Sequence, residues 1–158
     1  MIIKLISVDK RVIIGATQGT ETLASANDVF SYIDPVFKNL GGDQVEKETP
    51  EVAVEVYEQI KDATYPEIFG GVDQNFDHLV LTTSQIKNFV VNHAKDYLLE
   101  AEWTCFRSLF KVDAELFIAD VRVLASGNRD VRVTRFFDGS VRHAEYRHRI
   151  VVPQLVSN

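Results

Sequence analysis

The residues best suited to chemistry in this chain gather late, where Arg122, Arg129, Arg132, Arg135, Arg142, Arg147 and Arg149 are interleaved with Phe136, Phe137, His143 and Tyr146. Guanidinium groups make planar, bidentate contacts with carboxylates and phosphates, and aromatic rings stack on bases. The pattern could therefore line a face that binds an anion, a protein partner or a single-stranded nucleic acid. Arg132, Arg135, Arg142, His143, Arg147 and Arg149 make up the candidate face. Asp120, Asp130, Asp138 and Glu145 interrupt it, and cross-strand Arg–Asp pairs on a solvated sheet face would give the same composition. After Glu100 every basic residue except Lys111 is arginine, whereas the acidic excess behind the formal charge of −6 lies before that point.

Other chemistries find less to work with. His143 and His148 are the only histidines close in sequence, and an odd offset puts them on opposite faces of an extended chain, so they do not read as zinc ligands. Cys105, the single cysteine, excludes an internal disulfide and a multi-thiolate site. It stands in an apolar stretch with no helix N-terminus to lower its pKa, although Arg107 shares its face, and it reads as a core residue. Neither Gly15–Thr20 nor Gly70–Asp73 ends as a phosphate-binding loop does, and no Gly-x-Ser-x-Gly elbow is present. Glu46, Glu48, Glu51 and Glu55 read as a solvated acidic surface rather than a positioned acid–base pair. No catalytic residue, metal site or cofactor follows from these spacings.

The elements that must position the arginines can be read from periodicity. Ile2–Val8 and Arg11–Ala16 are β-branched runs around Asp9-Lys10, which predicts an N-terminal hairpin. Thr20 could cap a short helix through Ala26, and Asp34-Pro35 then forces the chain extended, leaving this stretch irregular. A polar loop is expected at 41–50, mobile by composition. Val52, Val54 and Val56 share one face of a strand that should pair with the hairpin, and Tyr65–Phe69 reads as one helical turn. Ile86, Phe89, Val90, His93, Ala94, Tyr97 and Leu98 recur at helical steps, predicting one principal amphipathic helix over Ser84–Leu99.

Trp103–Val112, Glu115–Ala125 and Asp130–Phe137 predict a C-terminal antiparallel meander on which that helix packs. In its middle strand Phe117, Ala119, Val121 and Val123 point one way, while Asp120 and Arg122 point the other, partly to water. Ile150–Val152 would add an edge strand, which Pro153 suits. The expectation is one α+β domain over residues 1–158.

The string Ala144-Glu145-Tyr146-Arg147-His148-Arg149-Ile150-Val151-Val152-Pro153-Gln154-Leu155 resembles the closing signature of a family of short uncharacterised bacterial proteins, numerous in small-genome uncultivated lineages. Met1–Ser7, Tyr32-Ile33-Asp34-Pro35, Val56-Tyr57-Glu58 and Leu81-Thr82 with Gln85-Ile86 are also similar to it. Trp103–Lys111 departs from that family's more glycine- and phenylalanine-rich strand. The resemblance implies a one-domain protein and no activity, cofactor or site residue.

No apolar run approaches the roughly 20 residues that span a bilayer, and the opening segment lacks signal-peptide features, so a cytoplasmic protein without a membrane partner is expected. The sequence reads as a small non-enzymatic protein-interaction or self-associating domain. The alternative is single-stranded nucleic-acid or polyanion binding through the C-terminal sheet.

Overall fold

The computed structural model describes residues 1–41 and 44–155. Its elements run β1 (Ile3–Leu5), β2 (Val12–Ile14), β3 (Tyr32–Ile33), α1 (Val36–Asn39), β4 (Val52–Gln59), α2 (Tyr65–Gly70), α3 (Thr83–Asn92), β5 (Trp103–Val112), β6 (Glu115–Leu124), β7 (Arg129–Arg135) and β8 (Arg149–Pro153). The strands form one mixed sheet in the order β1-β4-β8-β5-β6-β7-β3, with β2 also paired to β4. The fold is α+β, as the sequence implies.

The alternating valines of β4 make the strand to which both N-terminal runs attach. Ile3 pairs with Gln59 and Leu5 with Tyr57, and further along the same edge Val12 pairs with Val54 and Ile14 with Val52. The expected hairpin is therefore absent: β1 and β2 follow one another along β4 and do not pair with each other. A two-residue hairpin turn needs positive φ at its centre, and neither Asp9 nor Lys10 adopts it. Instead the chain leaves the ladder after the Ile6 N–H donates to Val56 O and returns at Val12. The Ser7 hydroxyl accepts from the Val56 N–H at 3.0 Å across the gap.

The expected β5–β6–β7 meander is present, with Trp103 opposite Leu124 and Val123 opposite Arg129. The last strand corrects the sequence reading. β8 is not an edge but lies between β4, to which it is antiparallel, and β5, to which it is parallel. Ile150, Val151 and Val152 are all fully buried, because consecutive apolar residues suit a strand covered on both faces. Pro153 is tolerated because it ends the strand opposite Val54. The stretch expected to be irregular supplies β3, which runs parallel to β7. Asp34 fixes that junction by accepting from the Val133 N–H at 3.0 Å.

Both faces of the sheet are covered. On one, Ile86, Phe89 and Val90 of α3 join Phe106, Phe110, Phe117, Val121 and Val151 in the larger apolar core. On the other, Tyr65, Ile68 and Phe69 of α2 cover Leu109, Ile118, Ile150 and Val152. α3 starts one residue earlier than expected, where Thr82 and Gln85 form a reciprocal capping box. It also ends sooner: His93 leaves helical geometry and its Nε2 lies 2.7 Å from Ile13 O, and Ala94–Tyr97 continue as a 3-10 turn. Leu98, expected on the core face, is exposed as a result. The short helix expected from Thr20 is a 3-10 turn at Leu23–Ser25.

Within the polar loop expected at 41–50, Gly42 and Asp43 lie outside the described residues. Glu46 is anchored, in contrast to the solvated role expected for it. Its carboxylate accepts from the N–H and hydroxyl groups of both Thr83 and Ser84 at 2.8–3.0 Å, at the start of α3. Its own N–H donates to Gly19 O. Gly19 has φ +82°, and a Cβ there would stand 2.0 Å from the Glu46 carbonyl oxygen, so this close approach requires glycine.

Candidate binding pocket

Period two on β5 puts Trp103, Cys105, Arg107 and Leu109 on one sheet face. Cross-strand register then sets Cys105 opposite Arg122 and Arg122 opposite Asp130, while Arg107 lies opposite Asp120 and Asp120 opposite Arg132. These two charged rows lie just past Leu109 and Ile118, where the apolar cover beneath α2 stops. His148, immediately before β8, and Tyr146, in the 3-10 turn Ala144–Tyr146, close the side. The result is a recess of about 230 Å³ lined by Trp103, Cys105, Arg107, Asp120, Arg122, Asp130, Arg132, Tyr146 and His148.

Its charges are poorly neutralised for their burial. Arg107 is 6% exposed, yet its contact with Asp120 is a long 3.4 Å from Nη2 to Oδ2, and its Nε and Nη1 have no partner. Arg122 donates from Nη2 and Nε to Asp130 Oδ2 at 2.9 and 3.3 Å. Asp120 Oδ1, Asp130 Oδ1 and His148 Nδ1 are also buried without a partner. Buried polar atoms are ordinarily hydrogen-bonded, and leaving one unmet costs about 1–3 kcal/mol, so their clustering around one recess sets this place apart.

Behind the recess, the guanidinium groups of Arg107 and Arg142 lie 5.3 and 4.3 Å from the Tyr65 ring centroid, and the Tyr65 hydroxyl has no partner. Burial pushes that phenol up to about 12. Trp103 stacks on Tyr146 at 5.5 Å, and Tyr146 on His148 at 5.7 Å.

Protonation follows from burial. Burial lowers His148 to about 3, helped by the charges of Arg107 and Arg142, so the ring is neutral at pH 7. Burial and then the Asp120 charge push the Cys105 thiol well above its ordinary value, which keeps it from acting as a thiolate nucleophile. Among the described residues, no group of three His, Cys, Asp or Glu side chains converges on a metal position.

Of the residues singled out in the sequence, Arg132 lines the recess and lies 4.9 Å over the Tyr32 ring. Arg142 sits behind it against Tyr65 and also pairs with Asp138. The others are elsewhere. Arg135 pairs with Glu115, His143 with Asp62, and Arg147 and Arg149 both with Glu58. Burial would raise Glu58, but hydrogen bonds from Arg149 and Arg147 hold its carboxyl below the ordinary range. Arg149 is buried and also donates from Nε to Tyr97 O at 2.9 Å, as a structural tie.

Trp103, Arg107 and Asp120 were not among the candidate site residues. The available signal was charge recurring at alternate positions along two adjacent strands of a meander, on the face opposite the apolar one.

A cleft of about 560 Å³ beside α3 is larger, lined by Gln18, Thr20, Glu21, Asp28, Lys87 and Asn88 among others, but it contains no buried charged side chain. Fold and recess together define a mixed sheet covered on both faces, with a charged, concave gap in the cover of one of them. No family model, curated protein or solved structure matches the chain.

Proposed function

We propose that this protein is a non-enzymatic binding domain that recognises a partner or ligand by taking a small polar group into the recess between β5, β6, β7 and the start of β8. The observation that carries this reading is Arg107, a buried guanidinium with two nitrogens unmet in the wall of a cavity. A ligand seated against this wall would add hydrogen bonds to those that the protein's own groups supply. The protonated thiol of Cys105 and the neutral ring of His148 favour binding over nucleophilic chemistry.

Nucleic-acid binding ranks second. It needs cations open to phosphates, whereas Arg135, Arg142, Arg147 and Arg149 are paired with acids. Thermal unfolding in the presence of a wide set of small polar compounds, and separately of a single-stranded oligonucleotide, tests the ranking, because anything that binds the native state raises its Tm. At least one small compound should raise the Tm of the wild type and leave that of Arg122→Gln unmoved. Salt-sensitive stabilisation by the oligonucleotide, with no response to any small compound, would reverse the order.

A further inference from the structure

Resting on that binding reading, we propose that the recess takes a singly charged carboxylate with a neutral N–H or O–H donor close beside it, presented as a small hydroxy acid or as the C-terminus of a polypeptide. The charge count points to one negative charge. Arg107, Arg122 and Arg132 face Asp120 and Asp130, and one anion neutralises the set. The neutral imidazole of His148 and the protonated thiol of Cys105 leave that count unchanged at pH 7.

The unmet atoms point to a ligand with both kinds of group. Arg107, Arg122 and Arg132 line the recess with donors and Asp120 and Asp130 with acceptors, and Arg107 Nε and Nη1, Asp120 Oδ1 and Asp130 Oδ1 have no partner within the protein. A phosphate ester, close to doubly charged at pH 7, supplies mainly acceptors and would set extra negative charge against the two carboxylates. A cation would satisfy the aspartates but be repelled by the arginines. A carboxylate with an adjacent hydroxyl or amide N–H meets both demands, and guanidinium–carboxylate hydrogen bonds are among the stronger ones available. The size agrees: about 230 Å³ is the liquid volume of roughly eight waters, enough for a small acid or one terminal residue.

Trp103 is the chain's single tryptophan and lines the recess, so its emission reports occupancy directly. Titration at pH 7 with glycolate, N-acetylglycine, acetate, N-acetylglycinamide and methyl phosphate separates the terms. Glycolate or N-acetylglycine should give a saturable change. Acetate, which lacks the second donor, should bind about tenfold more weakly, the factor supplied by one good hydrogen bond. The uncharged amide and methyl phosphate should give none.

A preference for glycolate would identify a free hydroxy acid, and a preference for N-acetylglycine a polypeptide terminus; either supports the inference. Arg132→Gln, at an exposed position, should weaken the better acid about tenfold, one charge-assisted hydrogen bond, without changing unfolding. Methyl phosphate binding more tightly than either acid, or the amide matching its acid, would overturn the carboxylate assignment while leaving the recess a binding site. Silence toward all five overturns the inference, and the binding reading falls with it only if the wider compound set also leaves the Tm unmoved.

Discussion

His148 shows how much one side chain's surroundings matter. The residue is 4% exposed, and its ring is stacked on Tyr146 and held neutral down to about pH 3, whereas in the unfolded chain it takes a proton near 6.5. As pH falls below 6.5, the unfolded state gains a proton that the folded state does not, so stability drops as pH goes from 6.5 toward 3. Between pH 7 and pH 5 the loss should be about 2 kcal/mol at most. Denaturant unfolding of the wild type and His148→Phe across that window checks it; the variant should be flatter, and parallel slopes would contradict the assignment. Glu58 acts in a lower window, because its depressed pKa gives stability that disappears only as pH falls through the acid range.

Two further residues carry their own tests. Cys105 should label slowly with a thiol reagent in the native protein, because it is buried and its thiol is held protonated. Phe89 is 1% exposed with its ring 5.8 Å from Phe106, and Phe89→Ala should cost roughly 3–5 kcal/mol in denaturant unfolding. Phe89 was legible because helical periodicity marks a buried face directly. Arg107 was not. A charged residue in a strand reads as solvent-facing unless the partner strands and the reach of the covering helix are known, and both are set by residues far away in sequence.

At the scale of elements, α3 depends on two caps of different origin. Thr82 and Gln85 form the local box, which a nearby Thr and Gln make visible in sequence. Glu46 adds a distant one, its charge meeting the exposed N–H groups of the first turn. Glu46→Ala should therefore cost about 1–2 kcal/mol, the range of a lost N-terminal cap. An effect below about 0.5 kcal/mol, the usual size of a neutral surface change, would show that the contact is incidental. Strand existence along β5, β6 and β7 was readable, since three apolar-rich runs are separated by the Asp113-Ala114 and Ser126–Asn128 turns. Strand order was not. Nothing local tells Ile150–Val152 that it lies between β4 and β5, and Pro153 suggested an edge because proline cannot donate, although a strand end meets that need equally well.

Across the whole molecule, the site exists because the cover on one face is incomplete. α2 buries the Leu109 and Ile118 end of the sheet, and the charged rows occupy the uncovered remainder. A buried ion pair with unmet atoms is a poor way to stabilise a fold, and replacing such a pair by apolar residues of similar size is commonly neutral or stabilising by about 1–4 kcal/mol. Removing one partner alone strands the other charge and costs about 3–5 kcal/mol. On the proposed binding function, Arg107 and Asp120 are kept for recognition, against stability. Denaturant unfolding of the paired variant Arg107→Met, Asp120→Leu, read beside Arg107→Met alone, tests that claim most directly. The pair should be at least as stable as the wild type and clearly more stable than the single variant. A pair as destabilised as the single variant would make the Arg107–Asp120 contact a structural tie and remove the physical basis for a binding site in the recess.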